Sequence, residues 1–335
     1  MTQNTPLSPR PLHDARQRVQ SAAQLRAQGV TAAQTAAHCL PGGPWQQLLP
    51  GVYLLHPGPP TSQERVHGAL LYGGRPPAGA RRTVPAQPGQ GYGEAMITGL
   101  AALALHGFAS APPMIALHRI DVLVPRTRRL RSTRFVDVKR AASLPAPERR
   151  LGVPVAPVER ALADAVAGLT DAPTVRRMLT EAVRGGHCEP APVVRELSAA
   201  KLLGRSHVVE AVEALLMEGR AVAEARLYEM VRSYGLPEPL WNVDLWLQGG
   251  TFLGGVDAYW PEQAVALELG SRGPRQEHVT YTAEREHLER LGVTAVRVTA
   301  KKLRETMAQQ AVVVRTALMA ADDREPAAYV VVLPR

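Results

Sequence analysis

Two apolar runs near the C-terminal end, VDAYW (256–260) and AVALELG (264–270), are separated only by the turn residues Pro261 to Gln263. Runs this short and this close bury themselves by pairing as antiparallel strands, so the core of this region is built on a β-hairpin. Each run carries one acid. The turn centre falls near 262–263, so Asp257 and Glu268 lie about equally far from it and face each other on one side of the ladder. Two converging carboxylates are the beginning of an oxygen-ligand site for a hard cation such as Mg²⁺. Side chains alternate along a strand, so the next group on that side is residue 270. Metal-assisted cleavage of a phosphodiester calls there for a lysine or a further acid, and the chain has Gly270. Arg272, next on the same side, cannot serve as a base. Glu224, at the start of the helical stretch AEARLYEMVRSYG, is the candidate third acid. A helix at TAEREHLERLG (282–292) and a strand at VTAVRVTAKKL then give a mixed sheet with flanking helices, an α/β domain over 220–335.

The other end of the chain follows a different pattern. DARQRVQSAAQLRAQG (14–29) predicts a helix with Val19, Ala22, Ala23 and Leu25 on one side and Gly29 as its stop. Thr31 caps a second short helix, TAAQTAAHC, which ends at PGGP, and WQQLLPGVYLLHPG reads as two strands about Gly51. Helix, turn, helix and strand hairpin is the outline of a winged helix-turn-helix over 1–57. Thr31, Gln34, Thr35 and His38 are then the candidate base contacts, with Arg16, Arg18 and Arg26 near the phosphates.

Region 58–156 reads as α/β, interrupted by a Gly- and Pro-dense loop at 72–93. It contains a buried helix over 98–107 and a strand at HRIDVLVP (118–125). PRTRRLRSTR (125–134) then places five arginines, Arg126, Arg128, Arg129, Arg131 and Arg134, in ten residues before a second strand, FVDVKR. On a hairpin, such a run is either a solvated turn or an edge that tracks phosphates. Residues 157–219 read as a bundle of short helices, with Gly185, Gly186, Gly204 and Gly219 as stops. Its apolar positions Leu162, Val166, Leu169, Val175, Met178, Leu179 and Val183 form either a core or an exposed interface.

At 335 residues the chain is too long for one ordinary core, and 45% hydrophobic against 21% charged residues describes a folded protein. Lys+Arg is 39 against 30 for Asp+Glu, a net charge of +9 that favours a polyanionic partner, nucleic acid first. Arginine supplies nearly all of that excess, which a GC-rich genome alone would also produce. Cys39 and Cys188 lie far apart and outside any CxxC pair, against a zinc ribbon or disulfide framework and in keeping with a reducing cytoplasm. The most apolar stretch, AMITGLAALALHGFA (95–109), is shorter than the roughly 20 residues of a spanning helix, so no membrane partner is expected. No phosphate-cradling glycine motif follows a strand.

The order AQLRAQGVTAAQTAAHC, WQQLLPGVYLLHPG, AALALHGF, IDVLVPRTRRLRS and VAPVERALADA resembles the AbiEi-type antitoxin and transcriptional-regulator proteins of bacteria. The tail, AEARLYEMVRSYGLPEPLWN through GVDAYWPEQAVALELGSR to REHLERLGVTAVRVT, is similar to the very-short-patch-repair-like endonuclease domain of PD-(D/E)XK fold often fused behind that module. The resemblance implies an α+β multidomain protein: an N-terminal winged helix-turn-helix, a central α/β and helical region, and a C-terminal restriction-endonuclease-like α/β domain. It places Asp257 and Glu268 at the metal-binding carboxylates and Glu224 at the helix acid. Where the family continues with a second carboxylate and a histidine, this chain has Gly270 and Arg275; His278 is the nearest histidine.

These readings lead to a cytoplasmic DNA-binding regulator or antitoxin-like repressor whose nuclease-like domain holds nucleic acid or a partner protein, such as a toxin, without cutting and without a cofactor. The alternative is a Mg²⁺-dependent DNA endonuclease. A homodimer fits a winged helix that reads a palindrome, although no heptad supports one.

Overall fold

The computed structural model describes residues 15–75, 91–270, 287–321 and 330–335. Most of the Gly- and Pro-dense loop, together with Arg272, Arg275 and His278, lies outside the described residues. The chain is an α+β protein of two compact units, 1–182 with 192–211, and 183–191 with 212–335. Among the described residues no helix is long and apolar enough to cross a membrane.

The first unit begins with β1 (Val19–Ser21), α1 (Ala22–Ala27), α2 (Ala32–His38), β2 (Gln46–Leu49) and β3 (Val52–Leu54). The strands form an antiparallel sheet in the order β1-β3-β2. The single helix expected over 14–29 is therefore split: Val19 to Ser21 pair with Leu54 to Val52, and this long-range ladder overrides local helical preference. Val19 and Leu25 are both buried, but on different elements and not on one helical face, and Ala22 and Ala23 are only half-buried.

Next come α3 (Ser62–Gly73), β4 (Met96–Thr98), α4 (Gly99–His106), β5 (Ile120–Pro125), β6 (Val136–Ala141), β7 (Glu148–Arg150) and β8 (Val153–Val155). The five strands form a mixed sheet ordered β6-β5-β4-β8-β7. Helix α3 is buried almost throughout, from Glu64 to Gly73, because it is packed between this sheet and the three-stranded one. Two glycines make that possible. A Cβ on Gly68 would lie 2.7 Å from Leu48 Cδ2 on one side, and a Cβ on Gly73 would lie 2.7 Å from Val122 Cγ1 on the other. The helix starts from a capping box in which Thr61 and Glu64 satisfy each other's amides. Glu64, 1% exposed, also meets His56 at 3.1 Å and Arg18 at 3.9 Å. Burial alone would raise its pKa, but the Thr61 amide and hydroxyl and the His56 ring hold it below the usual carboxylate range. Helices α5 (Val158–Ala167), α6 (Ala172–Arg184) and α7 (Pro190–Ala199) follow. Leu162, Val166, Val175, Met178, Leu179 and Val183 are buried and form core.

Helix α8 (Ser206–Ser233) gives its residues up to 211 to the first unit and the rest to the second. The stop expected at Gly219 does not occur; the helix runs straight through. Gly219 is a notch instead, since a Cβ there would lie 2.4 Å from the Pro190 ring. The second unit then forms β9 (Leu240–Leu247), β10 (Phe252–Trp260), β11 (Val265–Gly270), β12 (Thr294–Thr299), α9 (Ala300–Glu305), α10 (Met307–Ala321) and β13 (Val330–Pro334). Its sheet is ordered β12-β11-β10-β9-β13, with β11 and β12 parallel and the other pairs antiparallel. One apolar cluster joins Leu227, Met230 and Val231 of α8 to Trp260, Leu267, Val298 and Val314. A second joins Val243, Leu245, Val256 and Tyr259 to Leu288 and Val293.

Two consequences are measurable. Gly73→Val should destabilise the protein by about 1–3 kcal/mol in chemical denaturation, because the added methyls meet a β-branched strand residue that has no room to turn away. His67, buried on α3, shares a 2.6 Å hydrogen bond with the Tyr92 hydroxyl, and burial, then the Arg16 charge, lowers its pKa from 6.5 to about 4. A depressed folded pKa means that the folded state binds fewer protons in that window. The associated stability is complete above pH 6.5 and is lost as pH falls toward 4, by up to about 3 kcal/mol. Asp121 has the opposite sign: burial, opposed by Lys139, raises its pKa from 3.8 to about 6, so its contribution is lost as pH rises through that value. The difference between wild type and His67→Gln across pH 4–6.5 isolates the histidine, and the variant should show the shallower acid loss.

Candidate functional site

Capping builds the helix pair. Ser21 and Thr31 accept hydrogen bonds from the Gln24 and Gln34 amides, and the two glutamine side chains accept from the Ser21 and Thr31 amides in return. This satisfies the open donors of helices too short to persist on propensity alone. It also decides what α2 presents to water. Thr31 is occupied by the cap. Gln34 is exposed, and its Oε1 accepts from both the amide and the hydroxyl of Thr31 at 2.9 Å, leaving the Nε2 amide to donate outward. Thr35, expected among the base contacts, is 6% exposed and donates to the Thr31 carbonyl at 3.0 Å. One residue of helix rotates a side chain by about 100°, which carries Thr35 to the inner face and removes it from the contacts. His38 is half-buried, its ring edge-on to Trp45 at 4.3 Å. The rest of the outer face is methyl: Ala32, Ala33, Ala36 and Ala37 are exposed. Of the flanking arginines, Arg16 donates to the Gly152 carbonyl at 2.6 Å and Arg26 to Ala22 at 3.2 Å.

The arginine run is not on a hairpin. β5 and β6 are parallel, Ile120 beside Val136 through Pro125 beside Ala141, so residues 126–135 double back along the sheet to begin β6 at the same end as β5. Parallel strands normally need a longer crossover. Here side chains hold the return: Arg140 donates to the Arg128 and Leu130 carbonyls, Tyr72 donates to the Arg131 carbonyl at 2.7 Å, and Ser132 Oγ accepts from the Val138 amide of β6 at 3.0 Å. Arg134, at φ 48°, reaches the β2 carbonyls of Gln47 at 2.8 Å and Leu48 at 3.2 Å. Arg128 donates to Gly73 at 3.3 Å. Among the described residues no carboxylate pairs with Arg126, Arg129 or Arg131, and all three are exposed. The returning segment, the β2–β3 turn and the end of α3 enclose an open cleft of about 860 Å³, lined by Pro50, Tyr72, Arg75, Arg128, Arg129 and Arg131 with no acid among the described residues of its walls, although the charge of Glu94 is felt at Arg128. Arg75 donates to the Pro50 carbonyl at 2.8 Å, which ties the turn to α3.

In the second unit, Ala258 pairs with Leu267, so the next step along the ladder sets Asp257 opposite Glu268. Asp257 is 7% exposed. Its Oδ1 accepts from Arg220 at 2.9 Å and its Oδ2 from the Leu269 amide at 2.6 Å. Glu224 lies on α8, where its Oε1 accepts from the same Arg220 at 2.7 Å. A guanidinium therefore bridges two of the three expected acids, and Glu268 also has partners within the chain. Burial pushes the Asp257 carboxyl above its ordinary range, and the Leu269 amide and Arg220 pull it back only in part. At Gly270 a Cβ would lie 2.7 Å from Arg297 Nε, so an arginine covers the position where a further ligand would stand. Arg335 lies over Gly255 and pairs with Asp244 at 3.0 Å. Among the described residues no three His, Cys, Asp or Glu side chains form a group that could hold a metal ion.

No protein-family model matches the chain, and no curated protein matches it.

The sequence reading missed Arg75, which sits apart from the arginine run, and Arg220. The one available signal for Arg220 was its place four residues before Glu224, the helical spacing of an ion pair. Nothing local connected it to Asp257. The anchoring role of Arg134 is testable: Arg134→Ala should lower stability by about 1 kcal/mol in urea denaturation, through the two β2 carbonyls it leaves without their charged donor.

Proposed function

We propose that this chain is a DNA-binding protein, a transcriptional regulator or antitoxin-like repressor, whose α1–turn–α2 module with the β2–β3 wing and the adjoining arginine cleft engage a duplex. The observation that carries the reading is the cleft: four arginines around the β2–β3 turn, with no acid among the described residues of its walls. A surface of this kind lowers its own electrostatic energy by taking up phosphates and releasing their counterions. Such contacts fix register and supply affinity, but they carry no sequence information.

Sequence choice falls to α2. With its oxygen engaged in the cap, Gln34 offers a base edge only donor hydrogens, which suit the acceptors of guanine or the O4 of thymine. The alanine methyls beside it suit thymine C5-methyl groups. This arrangement supports the winged-helix reading and the resemblance to AbiEi-type regulators. The second unit fits an endonuclease-like fold kept for binding nucleic acid or a partner protein, since Arg220 and Gly270 stand where cleavage needs a metal and a third group.

The experiment is a gel shift on the DNA upstream of the protein's own gene, at several salt concentrations, with Mg²⁺ or with EDTA. Discrete retardation of intact DNA is expected in both. Arg129→Ala/Arg131→Ala should weaken binding to all sequences by about tenfold or more and flatten the salt dependence by nearly two phosphates' worth. Gln34→Ala should weaken the specific site and spare random DNA. Equal affinity of wild type and the double-arginine variant at every salt concentration would overturn the cleft's role. Fragments that need Mg²⁺ and vanish in Glu268→Ala would favour an endonuclease instead.

A further inference from the structure

The geometry of the second unit points to Arg220 as a resident cation, and we infer that it takes the place a divalent ion would need between Glu224 and Asp257. This rests on the second unit alone and stands or falls independently of DNA binding by the first.

The donor set does not fit a metal. A hard cation between a helix acid and a strand acid needs lone pairs of both carboxylates turned to one point. Asp257 has one oxygen on the Arg220 guanidinium and the other on the Leu269 amide. Glu224 is drawn to the same guanidinium, Nε to its oxygen at 2.7 Å, while the terminal nitrogen serves Asp257 at 2.9 Å. The two acids thus converge, but on five fixed N–H donors and not on an ion. The third position, Gly270, is covered by Arg297. Arg220 leaves α8 one turn before Glu224, so the same helix supplies both the acid and the charge that neutralises it. An arginine cannot deprotonate in this range and cannot be chelated away. The junction between α8 and the strand pair is therefore closed in every ionic condition that leaves the carboxylates ionised.

Two states of this junction respond with opposite sign to the same substitution. In a vacant metal site the acids repel each other, and neutralising one of them raises stability until metal is added. In an arginine-bridged site, neutralising Asp257 leaves Arg220 facing an amide that has only hydrogens to offer it once its oxygen serves Leu269, and stability falls.

The test is thermal melting of the full chain in EDTA and in millimolar Mn²⁺ or Mg²⁺. The wild type should melt at one temperature in all three. Asp257→Asn should melt a few degrees lower in EDTA. Arg220→Gln should also melt lower in EDTA and recover with Mn²⁺, and the recovery should vanish in Arg220→Gln/Asp257→Asn. A wild-type melting temperature that rises with Mn²⁺ would overturn the inference. So would an Asp257→Asn protein that is more stable in EDTA, or a folded Arg220→Gln protein that ignores Mn²⁺. If Arg220→Gln does not fold, the sign of the Asp257→Asn shift decides.

Discussion

The first unit depends on one buried helix that has to satisfy two sheets at once. α3 has no solvent face over most of its length, so the polar side chains it carries inward, Glu64 and His67, are buried with hydrogen-bond partners among the apolar ones. Sheets pack on helices at a distance set by side-chain size, and Gly68 and Gly73 shorten that distance on opposite sides. The three-stranded sheet and the five-stranded sheet are thereby held in register through a shared core. The arginine cleft inherits its shape from this arrangement: its walls come from the β2–β3 turn on one sheet, the β5–β6 return on the other and the end of α3 between them. Arg75 and Arg134 then lock the β2–β3 hairpin to that framework by donating to its carbonyls. The bonds to carbonyls shape the surface, and because a carbonyl cancels no charge, the arginines that make them still add to its field.

The second unit solves a related problem with charge. Its sheet carries acids at a junction with α8, and burying a carboxylate without compensation costs several kcal/mol. Asp257 meets that cost with a backbone amide and a guanidinium. An ion would have performed the same service and brought reactivity with it.

What could be read in the sequence, and what could not, follows the range of the interactions. The β10–β11 hairpin was legible because strand, turn and strand lie within fifteen residues and each acid announces its distance from the turn. α2 and its cap were legible for the same reason. β1 was not, because Val19 to Ser21 become a strand only through a partner more than thirty residues away. The direction of β6 was hidden likewise: a ten-residue connection suggests a hairpin, and the parallel return is stable through contacts that the local sequence does not show, Arg140 and Tyr72 on its carbonyls and its own Ser132 and Arg134 on β6 and β2. Gly219 shows the limit of composition as evidence. In isolation a glycine late in a helix reads as a stop, whereas here the helix runs on and the missing side chain makes room for the Pro190 ring. For the candidate sites, residue types were legible and their employment was not. Thr35 turned inward by one step of the helix, and Arg220 became decisive through a strand it does not adjoin in sequence.

The strand order of the first unit also has a consequence for how the chain can assemble during synthesis. The three-stranded sheet and the Gly68 side of α3 are complete in residues 19–73, and their contacts are local enough to form early. The Gly73 side waits for β4 and β5, and the middle of the larger sheet waits longer still, because β4 pairs with β8, where Ile97 meets Val155. A nascent chain that has emerged only as far as β3 and α3 therefore displays one finished face and one apolar face still wet. The β2–β3 hairpin exists before Arg128, Arg129 and Arg131 that flank it, and the arginine cleft is not complete until more than half of the first unit has been made.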